Sequence, residues 1–585
     1  MTPKLIPYGV ANYAEMVRDN HYFVDKTQYI ARLERVKNPV FLRPRRFGKS
    51  LLCSILRYYY DRRYASQFEE LFGPTWIGQH PTGKQNQYMV LSLNFSTIAL
   101  GDTVDEIEMS FRRQVNPDVD SIRYAHPVLQ SEFSPLNLEA SVSDNLKLLF
   151  QAIQNYDLPP LYVIIDEYDN FANGLITRHR DLLYRELTAD DSFLKTFFKT
   201  LKKGREDGVI ANIFVTGILP ITIDDLASAF NITTFITLNP AFEAMLGFTQ
   251  AEVNHLLDDV YRDYAIDPST RPEIETMLKN HYNGYHFLDP NGEALYNSTI
   301  LMYFLQYFVD YHQPPEFLTD PNLRTDLSWV QRITGMNPEN TQAFLEEMNL
   351  YGRIAYDKSY LIAKFNMAQF FDKGFFPITF FYLGMLTKES DTYLRLPNLN
   401  LRQIFVEYFN ELNQFDVSTR YTALMQAFVN QPKLTDLFAG YWREYISQLP
   451  EAIFSKVNEN FYRTTFFELC SRHLSKWFTW NIERSYPQGK SDLEFVGKYH
   501  EKFAGLRWVI EFKYYSNAEF GKFKVPLDQF PAQKEDIAQL AGYVAGIRQE
   551  HPNAKVQQFV IYCVGNLGFR VIEIEPTGEI TGSTP

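Results

Sequence analysis

The sequence predicts an α/β protein: a parallel-sheet unit first, a helical stretch next, and a small α/β/α unit last. Three observations carry this. Residues 39–42, 88–94, 161–165 and 211–216 are short, nearly continuous apolar runs separated by longer helical patterns, as expected of strands covered on both faces. From about residue 240 to 450, strand-like runs thin out and helical spacing dominates. After about residue 457 a helix at 458–474 precedes strand patterns at 492–496, 508–513, 559–564 and 569–574, with a helix at 536–550 between the middle pair.

At 585 residues the chain is too long for one core. The pattern divides it into a sheet domain at 1–240, a helical lid at 241–330, a helical connector at 331–454 and the last unit at 455–576, with a frayed tail at 577–585. The 48 Phe and 38 Tyr fit several packed cores and also offer stacking surfaces for bases. Cys53, Cys470 and Cys563 are scattered, which supports neither a disulfide framework nor a zinc ribbon and points to a reducing, cytoplasmic setting. The opening residues show no charged and apolar leader, and the apolar stretch 374–386 is too short to span a bilayer, so no membrane association is expected. A formal charge of −13 argues against broad adhesion to nucleic acid and leaves local basic surfaces. The lysines of 193–203, recurring at helical spacing, are either such a surface or an ordinary solvated helix face.

The run 39–42 feeds directly into Arg43-Pro-Arg-Arg-Phe-Gly-Lys-Ser50. This reads as a phosphate-binding loop in which Arg43 stands where the first glycine is usual. Gly48 permits close backbone approach, Lys49 places a cation on the β/γ-phosphates and Ser50 offers a hydroxyl to Mg2+. The helix that follows aims its first amides at the phosphates, with Arg45, Arg46 and Phe47 completing the contact. The three arginines either offset phosphate charge or pair with acids of the lid.

A second half of the site lies at the end of the 161–165 run, where Asp166 and Glu167 sit at the carboxyl edge of the sheet. There Asp166 would hold Mg2+ and Glu167 would polarise the attacking water. Together with Lys49 and Ser50 this makes ATP the expected ligand. Thr216, ending the next strand, either senses the γ-phosphate or caps the following segment.

The last unit carries Gly489-Lys-Ser-Asp492 and then Trp508-Val-Ile-Glu511-Phe-Lys513. On adjacent strands, Asp492 and Glu511 would share a hard divalent cation. Strand alternation puts Glu511 and Lys513 on one face, where Lys513 would position or activate water. Glu459 on the preceding helix is either a further ligand or a solvated residue, and Glu483 is an alternative. Gln539 and Tyr543, one turn apart, either face the site or close the core edge.

The stretches Tyr22-Phe-Val-Asp25-Lys26-Thr27, Arg43 to Ser50, Ile165-Asp166-Glu167-Tyr168-Asp169 and Thr216-Gly217 resemble, in that order, the AAA-ATPase-like family. Leu246-Gly247-Phe248-Thr249, Tyr282-Asn283-Gly284-Tyr285 and Leu295-Tyr296-Asn297 resemble its lid motifs, so the likeness covers about residues 3 to 300. It implies a P-loop NTPase sheet domain and makes Arg43 a family trait. Tyr282, Gly284 and Tyr285 have no evident chemistry and read as a structural turn. The spacing of Asp492, Glu511 and Lys513 resembles the PD-(D/E)XK nuclease superfamily over about residues 455 to 575, with Ser491 where that name has proline.

The two resemblances imply an ATPase joined to a restriction-endonuclease-like domain that cuts nucleic acid, DNA in the first instance, using Mg2+ or Mn2+. A homo-oligomer is compatible with this. The alternative is a nucleotide-gated module that binds nucleic acid or protein without cutting.

Overall fold

A computed structural model describes residues 3–177, 180–221, 225, 230–320, 338–361, 366, 369, 372–417, 420–487, 489–575 and 580–583. Residues 321–337 of the expected lid and connector lie outside that set.

The first unit runs β1 (Pro39–Leu42), α1 (Lys49–Tyr60), β2 (Met89–Asn94), α2 (Val104–Ser121), α3 (Val142–Asn155), β3 (Leu161–Asp166), α4 (Phe193–Glu206), β4 (Ile210–Gly217) and a short β5 (Thr234–Phe235). The strands form one parallel sheet in the order β2-β3-β4-β1-β5. Every residue of β1 and β3 is buried, the consequence of their uninterrupted apolar sequence. Because β4 lies between β1 and β3, the ends of these three strands bring Leu42, Asp166 and Gly217 to one edge. The lysines of α4 are engaged within the molecule: Lys195 with Asp190, Lys199 with the Asp190 carbonyl, Lys202 with Asn231 and Lys203 with Asp207.

The lid consists of α5 (Gln250–Asp263), α6 (Arg271–Tyr282) and α7 (Ser298–Tyr311) around its own core of Leu257, Ile274, Leu278, Leu301 and Phe304. A reciprocal capping box between Thr249 and Glu252 starts α5, and Asn297 caps α7.

The connector is not purely helical. It contains a small antiparallel sheet of β6 (Arg353–Ala355), β7 (Thr387–Lys388) and β8 (Tyr393–Arg395), too short for any period of two to show in the sequence. After α8 (Leu399–Leu412), the helices Thr422–Asn430 and Leu434–Glu444 cover one face of the C-terminal sheet. Phe428 meets Trp508 at 5.4 Å and Phe438 meets Phe569 at 5.1 Å between ring centres, so these connector helices pack directly on the last unit.

The last unit comprises α9 (Glu459–Leu474), β9 (Phe478–Tyr486), β10 (Gly489–Gly497), β11 (Leu506–Tyr515), α10 (Lys534–Glu550), β12 (Lys555–Val564), β13 (Gly568–Ile574) and β14 (Ile580–Ser583). Its six strands lie in sequence order, with β11 and β12 parallel and the other pairs antiparallel. Phe495 and Phe512 join the main core, whereas Val509 and Val560 pack with Leu540 and Ile547 of α10 on the opposite face. Residues 580–583, expected as frayed tail, pair with β13. The lid touches this unit where Asn280 of α6 donates to Asn481 of β9 at 2.6 Å and Tyr499 donates to the His312 carbonyl at 2.7 Å.

Cys53, Cys470 and Cys563 are free and buried. No helix among the described residues is long and apolar enough to cross a membrane.

Candidate active sites

The loop after β1 is held from both sides. Its Arg43 amide donates to the Gly217 carbonyl of β4 at 3.3 Å, and the start of α7 grips its far end through Thr299 N to Arg46 O, 3.1 Å, and Ser298 Oγ to Arg46 O, 3.3 Å. Gly48 enters α1 at φ +92°, a left-handed conformation that suits glycine. Lys49 is buried and its Nζ donates to the carbonyls of Arg43, 3.0 Å, and Pro44, 2.9 Å. Burial lowers its pKa, against the opposing pull of Asp166, Asp169 and Glu167. The ammonium is thus held at the loop beside three carboxylates.

The three arginines take different places. Arg43 turns inward: its guanidinium donates to the carbonyls of Leu42, Thr237 and Glu243 and lies between the Phe41 and Phe287 rings, 4.4 and 4.2 Å from their centres. It therefore braces the loop from behind. Arg46 pairs with the buried Asp320 at 3.3 Å, whereas Arg45 is exposed. Phe47 is buried edge-on against Tyr285 and Phe287, which gives Tyr285 of the Tyr-Asn-Gly-Tyr turn a packing role.

A cavity of about 400 Å3 opens beside the loop, lined by Arg45, Arg46, Lys49, Ser50, Glu167 and, from the lid, Phe248. Asp166 is buried at the end of β3 and accepts from the Glu167 amide at 2.9 Å. Glu167 has φ +51°, and burial first, then Asp166, raises its pKa, which favours proton acceptance from a bound water. The hydroxyl of Ser50 and the carboxylate of Asp166 are hard oxygen donors suited to Mg2+.

Thr216 does not reach this cavity with a free hydroxyl. Its Oγ1 donates to the Phe41 carbonyl at 2.7 Å across the β1–β4 pair, so the proton is spent inside the sheet. Asp169, unassigned from sequence, accepts from the amides of Ile218 and Leu219 at 3.1 and 2.8 Å and pins the turn after β4. A Cβ on Gly217 would stand 2.3 Å from Asp169 Oδ1, which explains the Thr-Gly pair.

In the last unit, β10 and β11 are neighbours, and extending their register sets Asp492 opposite Glu511. Glu511 and Lys513 stand on the α10 side with Val509. Glu511 is 3% exposed; its Oε1 accepts from Lys513 Nζ at 2.9 Å, and its Oε2 is buried without a partner. Burial and the neighbouring Asp492 push the Glu511 pKa up. Burial alone would lower Lys513, but Glu511, Glu459 and Asp536 outweigh it and hold the ammonium above its ordinary value. Facing those carboxylates, the Lys513 ammonium is suited to orienting water or stabilising charge. Glu459 opens α9 on the exposed rim within electrostatic range of Lys513 and Asp492.

Both oxygens of Asp492 are engaged. Oδ2 accepts from the Phe512 amide and Oδ1 from Arg463 Nη1, each at 2.8 Å. Arg463 also donates through Nη2 to Glu483 at 2.7 Å. Burial would raise the Glu483 pKa, but Arg402 and Arg463 hold it down to about 2. The sequence reading missed Arg463; its signal was the i, i+4 spacing from Glu459 on one helix face. Among the described residues no three His, Cys, Asp or Glu side chains form a ready metal cage. The unpartnered Glu511 Oε2 and the oxygen chemistry of Asp492 and Glu459 nonetheless fit a hard divalent cation once Arg463 yields Oδ1. Tyr543 donates to the Lys490 carbonyl at 2.8 Å and receives from Gln539, so this pair supports the hairpin beside the centre. Ser491 is buried and donates to Glu494 at 2.7 Å.

Comparison with known proteins gives two family matches. The family described as "Predicted AAA-ATPase" matches residues 7–227, and the one described as "PD-(D/E)XK nuclease superfamily" matches residues 457–573. Among solved structures, the Aeropyrum pernix ORC2 protein, determined as ADPNP-ADP complexes, is 13% identical over 71% of this chain and 95% of that chain, with a TM-score of 0.26, a likeness too weak to inform fold or function. No curated protein matches. The chain joins a domain of the predicted AAA-ATPase family to a C-terminal domain of the PD-(D/E)XK nuclease superfamily.

Proposed function

We propose that the protein is an ATP-controlled, metal-dependent nuclease that cuts DNA. The observation that carries the reading is the meeting of Asp492, Glu511 and Lys513 on adjacent strands, with Glu511 Oε2 buried and unpartnered. A divalent cation, Mg2+ or Mn2+, bound there supplies the Lewis acidity that polarises the phosphodiester. Asp492 and Glu511 hold it, Glu459 adds an oxygen from the rim, and the Lys513 ammonium orients the attacking water and steadies the developing negative charge.

At the other end, Lys49 exchanges its two carbonyl partners for the phosphates of ATP, and Gly48 and the α1 amides line the β-phosphate. Ser50 and Asp166 hold the accompanying Mg2+, and Glu167 takes the proton of the hydrolytic water. The lid, which grips the loop through α7 and contacts β9 through Asn280, is positioned to relay nucleotide state to the nuclease unit.

The test is a cleavage assay of the wild type, Lys49→Ala and Asp492→Ala on DNA and RNA with Mg2+ or Mn2+, with and without ATP. Asp492→Ala should abolish cutting while ATP hydrolysis persists, and Lys49→Ala should abolish the response to ATP. If Asp492→Ala cuts like the wild type, the nuclease reading fails.

One observation favours a second reading, a nucleotide-gated module that binds without cutting: Arg463 occupies the Asp492 oxygen that a metal would need. Absence of Mn2+ binding at any accessible concentration would select it.

A further inference from the structure

Resting on the metal-centre reading of Asp492 and Glu511, the geometry points to Arg463 as a resident counter-cation. It is a positioning residue that holds Asp492 in the metal-free centre and withdraws to Glu483 when a divalent cation loads.

The hairpin creates the need. Ser491 pairs with Arg484 and Leu493 with Ile482, so Asp492 and Glu483 face each other across β10 and β9. Like charges directly opposite on a strand pair destabilise it. Arg463 spans the two carboxylates with the two arms of its guanidinium, Nη1 on Asp492 and Nη2 on Glu483, and Nη2 also reaches Asn460 Oδ1 at 2.5 Å. A planar fork does this and a point cation does not.

The same fork opposes the metal. Asp492 Oδ2 accepts from the Phe512 amide and Oδ1 from Arg463, so a cation that takes the remaining lone pair of Oδ1 comes to lie against the guanidinium. A divalent ion between Asp492 and Glu511 would place like charge against the guanidinium and drive it off. The displaced arginine does not lose its seat: Nη2 keeps Glu483 and Asn460, and only the Nη1 bond breaks. The Glu483 side chain is 43% exposed against 15% for Asp492, so it accepts the whole charge on the wetter side of the hairpin. Arg402 of α8 also acts on Glu483 and repels Arg463, so the position of α8 adjusts how readily Glu483 receives it.

Mn2+ titration of the full-length protein, by calorimetry and by the paramagnetic signal of free Mn2+, tests this without reference to cleavage. Arg463→Gln should bind Mn2+ about tenfold more tightly than the wild type, and Glu483→Gln about tenfold more weakly. In the double variant the Glu483→Gln effect should vanish, because Glu483 acts only by receiving Arg463. Asp492→Asn should abolish binding in every background. Equal or weaker binding by Arg463→Gln, with Asp492→Asn still abolishing it, overturns the role of Arg463 and leaves the metal centre standing. An undiminished Glu483→Gln effect in the double variant also overturns it, since Glu483 is then a ligand in its own right. If neither the wild type nor Arg463→Gln binds Mn2+, the metal-centre reading falls and takes this one with it. Should Arg463→Gln fail to fold, Glu483→Gln alone decides, and unchanged affinity there refutes the exchange.

Discussion

Gly284 runs so close to Pro397 that a Cβ on it would stand 1.9 Å from the Pro397 carbonyl oxygen, and its φ is +103°. The contact seats the end of the lid on the start of α8. Beside it, Asn398 Nδ2 donates to the Asn283 carbonyl at 3.0 Å and His281 Nδ1 donates to Asn400 Oδ1 at 2.8 Å. The Tyr-Asn-Gly-Tyr turn, which offers no chemistry of its own, is thus a joint. Through it the lid meets the helix whose Arg402 acts on Glu483, so the joint lies on the covalent and packed route between the two sites.

Replacing Gly284 by alanine should separate this joint. Both the left-handed backbone and the collision with Pro397 oppose a side chain, at about 2 kcal/mol or more. Gly208→Ala is the control, because Gly208 also has positive φ, +76°, but nothing lies within 4 Å of its would-be Cβ. Thermal unfolding should show a markedly larger loss for Gly284→Ala than for Gly208→Ala. Equal losses would mean that backbone conformation alone, and not the Pro397 contact, governs the site.

The joint should also weaken in acid. Burial pushes the His281 pKa down from 6.5 to about 4, helped by Lys498 and resisted by the bond to Asn400. The unfolded chain therefore takes up this proton before the folded one does. Its stability contribution is intact above pH 6.5 and is lost as pH falls from there toward about 4, a change of roughly 3 kcal/mol at most. Melting temperatures of the wild type should fall more steeply across that window than those of His281→Gln, which cannot titrate. Parallel curves would exclude His281 as the source.

Thr216→Val discriminates between a strand bond and a phosphate sensor. With Oγ1 donating to Phe41 O at 2.7 Å, the substitution should cost about 1 kcal/mol of stability and leave the ATP turnover of the folded protein unchanged. A large fall in turnover with normal nucleotide affinity would show instead that the hydroxyl leaves the sheet to act on the γ-phosphate.

Much of this was legible in the chain. Uninterrupted apolar runs announced β1 and β3 because strands covered on both faces carry no alternation to be misread. The order of Lys49, Asp166 and Glu167 foretold which strand ends would share an edge, and the motifs around Asp492 and Glu511 foretold two adjacent strands, which the fold pairs antiparallel. What the sequence hid was long-range partnership. β9 was legible only as a strand start at 481–483 leading into the Gly489 loop; its full extent stayed hidden because Asn481, Glu483, Arg484 and Ser485 show no apolar alternation, and Asn481 is buried by contacts with α6 and Glu494 that only the fold supplies. The strands of the connector were too short to show a period, and Arg463 looked like an ordinary helical arginine because both carboxylates that define it lie on a hairpin 20 and 29 residues away.

The sharpest divergence between motif and molecule concerns Arg43, where a phosphate loop usually has glycine. Restoring that glycine looks, from sequence, like a repair. The structure predicts damage. Arg43 is 1% exposed, fills the space between Phe41 and Phe287, and satisfies the carbonyls of Leu42, Thr237 and Glu243. Arg43→Gly would leave a cavity and three carbonyls short of a donor beneath the loop, a loss of about 3 kcal/mol or more. Lysine should not rescue it, because an ammonium is a single point that cannot span the carbonyls reached from Nη1 and Nη2 and has no flat face to stack between two rings. Thermal unfolding and titration with a nonhydrolysable ATP analogue check this together: both variants should melt lower and bind nucleotide more weakly. An Arg43→Gly protein that keeps its stability and binds ATP more tightly would show that the arginine, despite its burial, is a replaceable remnant and not the brace of the loop.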